Sequence, residues 1–385
     1  MKSFKEEFES IKAERKDCKA TKVFDEIKQT ASGRPLVLYG AANVGKSVIG
    51  ICRELGMAVA CVCDRSATGL LSGVQIITPE ELKTGNPNAL VIVCSKAYND
   101  EINAELGHMG FSSGQVIAFP FEYPFFSSLS DFEPHIPGFE WAYDFFADEL
   151  SKQLVLDRIR LILCDRGIAP NTESGLYFED GLITLGNNEV FVDGGAFDGD
   201  TAMDFQSRCS GPARQSERKS ASQLERQRKS QPIIYSFEPD EENYGKASAA
   251  LAGLEGVTLI NKGLWSSETE LLFIAGLKGR SSVAREDGKA DCSVPVVSLD
   301  GFFADKPKEK WPTFIKLDIE GAENEALLGA AAIIKARKPK LAICAYHLTQ
   351  DIYKLPRTIS SIRDDYRFAL RQHSYGCEDT VLYAV

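Results

Sequence analysis

Three short stretches carry residues whose types and spacing suit chemistry. VFVDGGAFDGDT, residues 190 to 201, is an apolar run leading into a turn with Gly194, Gly195 and Gly199 and then into a helix that must start close to its ligand. Glycines let the backbone approach a bound molecule, and Asp193 at the strand end can accept hydrogen bonds from a ligand ammonium or hydroxyl. The next apolar run, IIYSFEP, ends in Glu238, where a carboxylate can hold a ribose diol by taking two hydroxyl donors on its two oxygens. No phosphate-gripping lysine follows the glycine turn. The pair therefore favours an adenosine ligand without phosphate, S-adenosylmethionine over NAD. The third stretch, GAANVGKS, residues 40 to 47, fits two templates at once. As G-x-x-x-x-G-K-[ST] it is the phosphate loop of a nucleoside triphosphatase or kinase, gripping through Lys46. As G-x-G-x-x-G with Ala42 at the middle glycine it is a dinucleotide fingerprint, with Asp64 about 20 residues on. Gly40, Gly45 and Asp64 are then candidates for a nucleotide or nucleotide sugar; a degenerate copy of the same fold, used for docking or dimerisation, fits equally.

Placing these groups requires strands that end where the loops begin. LVLYG, AVACVCD, VQII, ALVIVCS and QVIAF are short apolar runs suggesting strands, with helical patterns in KSVIGICRELG and YNDEINAELGHMG. They predict a Rossmann-like α/β domain over residues 33–120. At about 90 residues it is small for a triphosphatase, which also needs a metal-holding acid beyond the loop. Before it, residues 1–32 are highly charged with Phe4, Phe8 and Ile11 at helical spacing, which predicts a surface or docking helix. After it, residues 121–185 are dense in aromatics and include SKQLVLDRIRLILCDRG, a predicted helix ending at Gly167, so this stretch reads as a helical connector. From 186 to 385 a second strand and helix alternation runs through EVFVDGG, IIYSFEP, VTLINKGL, TFIKLDIEG, KLAICAYH and TVLYAV. The expectation is α/β, with two doubly wound domains.

Over about 175 to 385 the motifs VFVDGGAFDGDT, FEPDEEN, NKGLW, VVSLDGF, FIKLDIEGAENEALLGA, AICAYH and LRQHSYGCEDTVLYAV, in that order, resemble the FkbM-type methyltransferase family. The resemblance implies a class I, seven-stranded, Rossmann-like methyltransferase domain that binds S-adenosylmethionine and O-methylates a sugar, glycan or other small-molecule hydroxyl. It implies that Asp193, Gly194, Gly195, Gly199 and Asp200 cradle the methionine part of the cofactor together with Asp318, that Glu238 holds the ribose, and that Asn261 and Gly263 border the adenine. A non-catalytic, nucleotide-sugar-binding scaffold with a degenerate methyltransferase domain is the alternative.

Asp318 and Glu320 stand two positions apart in IKLDIEG; if that segment is extended, both carboxylates leave one face. They suit a divalent metal or a general base, and the plain structural alternative is that Glu320 caps the turn before a helix starting near Ala322. His347 follows LAICAYH at a strand's carboxyl end and is a candidate base or metal ligand with them. His373, another of only four histidines, also falls in a family-like motif.

Composition bounds the partners. The net charge of −11 argues against a broad nucleic-acid-binding face. No apolar run approaches the roughly 20 residues of a membrane helix, and the first residues lack a signal-peptide core, so a cytoplasmic protein is expected. The ten cysteines are scattered without paired zinc spacing and read as reduced core residues. A basic insertion at 207–231 departs from the family pattern: Arg208, Arg214, Arg218, Lys219, Arg226, Arg228 and Lys229 face only Glu217 and Glu225. It reads as a solvated loop or as a basic lid for an acidic acceptor. The aromatic connector and first helix are candidates for a homodimer contact.

Overall fold

In the computed structural model, residues 2–31, 33–186, 188–210, 231–274, 282–283 and 292–385 are described. The chain divides into two compact units, residues 1–169 with 375–377 and residues 170–374 with 378–385. Most of the basic insertion, including Arg214, Arg218, Lys219, Arg226, Arg228 and Lys229, lies outside the described residues. No helix among the described residues is long and apolar enough to cross a membrane.

The first unit is built on β1 (Leu36–Tyr39), β2 (Val59–Cys63), β3 (Leu70–Leu71), β4 (Val74–Ile77), β5 (Leu90–Val93) and β6 (Val116–Ile117), in the order β3-β4-β2-β1-β5-β6. Every residue of β1 and β5 is buried, as expected of parallel strands covered on both faces. The two-residue β3 pairs antiparallel with β4 and is too short to show as a pattern in the sequence. Phe4, Phe8 and Ile11 are buried in this unit, with the Phe8 ring 6.1 Å from that of Phe132. The first helix is thus part of the unit's own packing. The helix Glu149–Cys164 ends three residues before Gly167, because Asp165 takes a left-handed conformation (φ 53°) and accepts the N–H groups of Glu122 and Tyr123 at 2.7 and 2.9 Å.

The loop after β1 decides between the two templates. Its helix, Asn43–Glu54, begins at the third residue after Gly40, and the Lys46 N–H already donates to the Ala42 carbonyl at 3.1 Å. A phosphate loop needs those N–H groups turned inward on the phosphates. The triphosphatase reading is therefore corrected: Lys46 is an exposed lysine in a helix's first turns. Gly45 serves the packing of helix on strand, since a Cβ there would lie 2.2 Å from the Gly40 carbonyl oxygen, which is the third glycine's role in the dinucleotide fingerprint.

The second unit contains β7 (Val190–Gly194), β8 (Ile233–Phe237), β9 (Val257–Ile260), β10 (Gly263–Leu264), β11 (Thr269–Ile274), β12 (Ser282–Val283), β13 (Cys292–Val297), β14 (Phe314–Leu317), β15 (Lys340–Cys344), β16 (Phe368–Gln372) and β17 (Thr380–Ala384). Seven of them form one sheet in the order β16-β17-β15-β14-β7-β8-β9, parallel except that β17 runs antiparallel to both its neighbours. The seven-stranded α/β expectation is met. Strand order reverses between β7 and β14, and in open α/β sheets the crevice beyond the carboxyl ends at such a point takes the ligand.

VTLINKGL, expected as one strand, is two. β9 stays in the large sheet, while β10 joins a separate four-stranded sheet, β10-β13-β11-β12. Pro295 in CSVPVV hides β13 from a sequence reading, since proline is excluded from most ladder positions. It is tolerated because β10 pairs only with Val296 and Val297, leaving that side of Pro295 open.

The approach of Gly45 to Gly40 yields a test. Gly→Ala in a helix interior ordinarily stabilises by about 1 kcal/mol; Gly45→Ala is expected to reverse the sign and cost about 1–3 kcal/mol in urea denaturation, the scale of an overpacked contact.

Candidate active site at the carboxyl edge of the second sheet

The glycine turn leaves β7 at the point of strand reversal and passes against the end of β14. Gly195 has φ 79°, and a Cβ there would fall 1.9 Å from the Asp318 carbonyl oxygen. Only glycine fits both requirements. The turn is pinned on its other side by β8, with the N–H groups of Gly195 and Ala196 both donating to the Phe237 carbonyl at 3.0 Å. Gly199, with φ 90°, precedes the helix Asp200–Ser210, and Asp200 accepts the Thr201 N–H at 2.5 Å.

Beneath this turn lies a buried ion pair. Lys316 on β14 is the register partner of Asp193 on β7, and its Nζ sits 3.0 Å from Asp193 Oδ1 while donating to the Gly195 carbonyl at 2.6 Å. Asp193 is fully buried, with its other oxygen 3.4 Å from Ser236 Oγ. The Asp193 carboxylate faces Lys316, and through it holds the turn that borders the cavity. Burial alone would push the Lys316 ammonium down, but Asp193 and Asp318 outweigh it and hold it above its ordinary value.

Glu238, just past β8, accepts the Phe197 N–H on Oε2 at 2.8 Å and the Asp240 N–H on Oε1 at 3.0 Å. Each carboxylate oxygen has a second lone-pair site, so hydroxyl donors can still be accepted. Burial raises its pKa, with the two backbone donors opposing. Asn261 follows β9 directly and is partly exposed, and Gly263 opens β10, where a Cβ would come 3.1 Å from Val296 Cγ1.

A cavity of about 340 Å³ opens over the glycine turn, lined among others by Tyr177, Phe178, Gly195, Phe197, Asp200 and Asp318. Phe197 is exposed and holds a left-handed conformation (φ 49°). Asp318 accepts Tyr177 Oη on Oδ2 at 2.7 Å and Tyr346 Oη on Oδ1 at 3.1 Å. Burial would raise its carboxyl, but the charges of Lys316 and His347 outweigh it and hold the pKa below the ordinary carboxylate range.

Asp318 and Glu320 do not sit on one extended face. β14 ends at Leu317, and Glu320 lies in a turn with φ 57°. They converge instead on His347: its Nε2 is 3.4 Å from Asp318 Oδ1 and 3.6 Å from Glu320 Oε2, and its Nδ1 is 3.1 Å from Glu323 Oε1. Glu323, at the start of the helix Glu323–Leu328, also accepts the Ile319 N–H at 2.8 Å. It holds the turn in the way anticipated for Glu320. Burial would lower the His347 pKa, but Glu323, then Asp318 and Glu320, raise it to about 9. The imidazole is protonated at neutral pH.

Sequence reasoning missed Lys316, Tyr177, Tyr346 and Glu323. A lysine inside the apolar strand FIKL was a signal, since a buried lysine demands a partner; nothing marked the two tyrosines. His373 lies apart from these groups, with Nε2 2.8 Å from Tyr383 Oη and Nδ1 3.2 Å from the Ser174 carbonyl, a structural position. In the first unit, Asp64 accepts the Ala41 N–H on Oδ2 at 2.8 Å and the N–H groups of Ser66 and Ala67 on Oδ1 at 2.9 Å. Its carboxylate ties the glycine loop to the end of β2.

Residues 193–370 match the family described as the methyltransferase FkbM domain. The second unit is an FkbM-type methyltransferase domain. The crystal structure of methyltransferase FkbM from Methylobacillus flagellatus KT is similar over 93% of this chain and 93% of its own, with a TM-score of 0.53 and 23% identity, a likeness of fold. Aeropyrum pernix fibrillarin, solved with natively bound S-adenosyl-L-methionine, aligns over 53% of this chain and 70% of its own at a TM-score of 0.30 and 11% identity, too low a likeness to argue from. No curated protein matches the chain.

Two outcomes follow. Lys316→Met leaves Asp193 buried without its partner and is expected to cost about 3–5 kcal/mol in chemical denaturation. His347, raised from 6.5 to about 9 on folding, adds stability that is fully present below the lower value and is lost as pH rises through the upper. With chelator present, the melting-temperature advantage of wild type over His347→Gln should therefore shrink between about pH 6 and about pH 9.5; an advantage constant across that range would show the imidazole pKa unshifted by folding, and one that grows with pH would show the imidazole uncharged in the fold.

Proposed function

We propose that this protein transfers a methyl group from S-adenosylmethionine to a hydroxyl oxygen of a sugar, glycan or related small molecule. The observation that carries the reading is the meeting, at the point where strand order reverses, of the glycine turn and Asp318 at one cavity, with Glu238 bound to the Phe197 N–H of that turn. Glycines at 194, 195 and 199 let the turn pack tightly on Leu317, Asp318 and Leu251, and its Gly195 backbone lines the cavity where the methionine part of the cofactor would lie. The free lone-pair sites of Glu238 suit a ribose diol, and Asn261 with Gly263 stand beyond it, where the adenine would lie. Neither assignment requires a phosphate contact.

The sulfonium already activates the methyl group, so the protein's main task is to align an oxygen in line with the carbon and to exclude water. Asp318 lines the cavity, and its two oxygens are fixed by Tyr177 and Tyr346; it is the group suited to orient an acceptor hydroxyl. That hydroxyl must lose its proton during transfer. The ionised Asp318 carboxylate is the acceptor nearest to that proton, with His347 and Glu320 behind it.

Calorimetric titration with S-adenosylhomocysteine, S-adenosylmethionine, ATP and NAD, on wild type and Glu238→Gln, tests the reading. Binding of only the two sulfur compounds, at roughly micromolar Kd and weakened at least about tenfold in the variant, is expected. Binding of ATP or NAD with no response to either sulfur compound would remove it. Transfer of a labelled methyl group to panels of hydroxyl-bearing and amine-bearing acceptors then distinguishes O-methylation from N-methylation.

A further inference from the structure

Behind the cavity edge, Asp318, Glu323 and His347 each offer a donor atom, and these atoms lie within 4.8 Å of one another. The Glu323 side chain is 1% exposed and that of His347 is 6% exposed. Glu323 Oε2 is buried with no hydrogen-bond partner, and the ring nitrogens of His347, though 3.1, 3.4 and 3.6 Å from carboxylate oxygens, are aligned with none of them for a hydrogen bond. Native structures rarely leave such atoms unsatisfied, and each one calls for an explanation. An undescribed occupant that accepts lone pairs is one.

Charge points the same way. Three carboxylates, of Asp318, Glu320 and Glu323, stand within 3.6 Å of one imidazole. The nearby ammonium of Lys316 is already bound by Asp193 and the Gly195 carbonyl. Even without Glu320, which is exposed, Asp318 and Glu323 outnumber one charged imidazole, an excess of negative charge that is costly where it is buried without a further cation.

The surroundings fix the donors as a metal site requires. The Ile319 N–H holds Glu323 Oε1 at 2.8 Å, leaving Oε2 free, while the Tyr177 and Tyr346 hydroxyls orient Asp318. Outer partners of this kind orient ligands and tune their donor strength. A set of one imidazole and two or three carboxylates suits a divalent ion that accepts both nitrogen and oxygen, such as Mn²⁺.

We infer that Asp318, Glu323 and His347 form a divalent-cation site at the cavity edge, the ion displacing the imidazole proton as it binds, with Glu320 in its turn beside it. Glu323 takes the place that spacing alone gave to Glu320. The role of the ion, though not its binding, rests on the methyl-transfer reading: bound at Asp318, it lies where an acceptor hydroxyl would be drawn into its ligand sphere and made more acidic. The acceptor class it favours carries a second oxygen beside the reacting hydroxyl, as in a vicinal diol, so that both can reach the ion.

The test uses the full-length protein, dialysed against chelator and titrated with Mn²⁺, with free ion followed by electron paramagnetic resonance and S-adenosylhomocysteine binding measured on the same samples. Saturable binding of about one ion per chain is expected, weakened more than about tenfold, the scale at which even outer partners act, in both Glu323→Gln and Asp318→Asn. Circular dichroism checks that each variant folds. If Glu323→Gln does not, Asp318→Asn, whose side chain is partly exposed, decides. Absence of saturable binding to wild type, or equal binding by a folded variant, overturns the site. Mn²⁺ binding without S-adenosylhomocysteine binding would sink the methyl-transfer reading and leave the cation site standing; the reverse result would do the opposite.

Discussion

The candidate site depends on the ammonium of Lys316. It is a buried charge between two strands that diverge in connection, and it binds Asp193 on one strand and the carbonyl of Gly195 beyond it. A buried lysine persists only where its charge is matched, so β7 and β14 are locked in the register that places their carboxyl ends together. That lock sets the direction in which the glycine turn leaves β7, and the turn in turn runs so close to Asp318 that no side chain fits at position 195. Asp318, one residue past β14, then meets the cavity while its neighbours Glu320 and Glu323 fold back on His347. Electrostatics in the core thus positions the groups at the cavity, which Lys316 itself helps to line.

Much of this was legible in the sequence because its signals are local. Glycines at 194, 195 and 199 after an apolar run announce a strand, a close approach and a helix start, and Glu238 after IIYSF announces an acid at a strand tip. Other features were not local. Asp193 looks the same in sequence whether it faces a ligand or a lysine 123 positions away, and only the pairing of β7 with β14 decides. Glu320 was paired with Asp318 on an assumed extended backbone; the left-handed turn at Glu320 breaks that face and brings Glu323, unmarked in the sequence, against His347. The small sheet was hidden by Pro295, whose tolerance depends on how short β10 is.

The two units use one device with different outcomes. In each, a glycine-bearing loop follows the first sheet strand and an acid follows the second, Asp64 in one and Glu238 in the other. Asp64 accepts the Ala41 N–H from the loop and two more from its own turn, and those bonds outweigh the effect of burial to lower its pKa. Glu238 accepts one N–H on each oxygen, and there burial prevails and raises the pKa. Asp64 Oδ1 is taken up by two N–H groups, whereas each Glu238 oxygen accepts one and keeps a second lone-pair site for a hydroxyl. The difference is one backbone donor, the Ala67 N–H three residues past Asp64. Similar fingerprints at 40–45 and 194–199 thus leave their strand-tip acids differently satisfied, and Glu238 is the better placed of the two to gain from a hydroxyl donor.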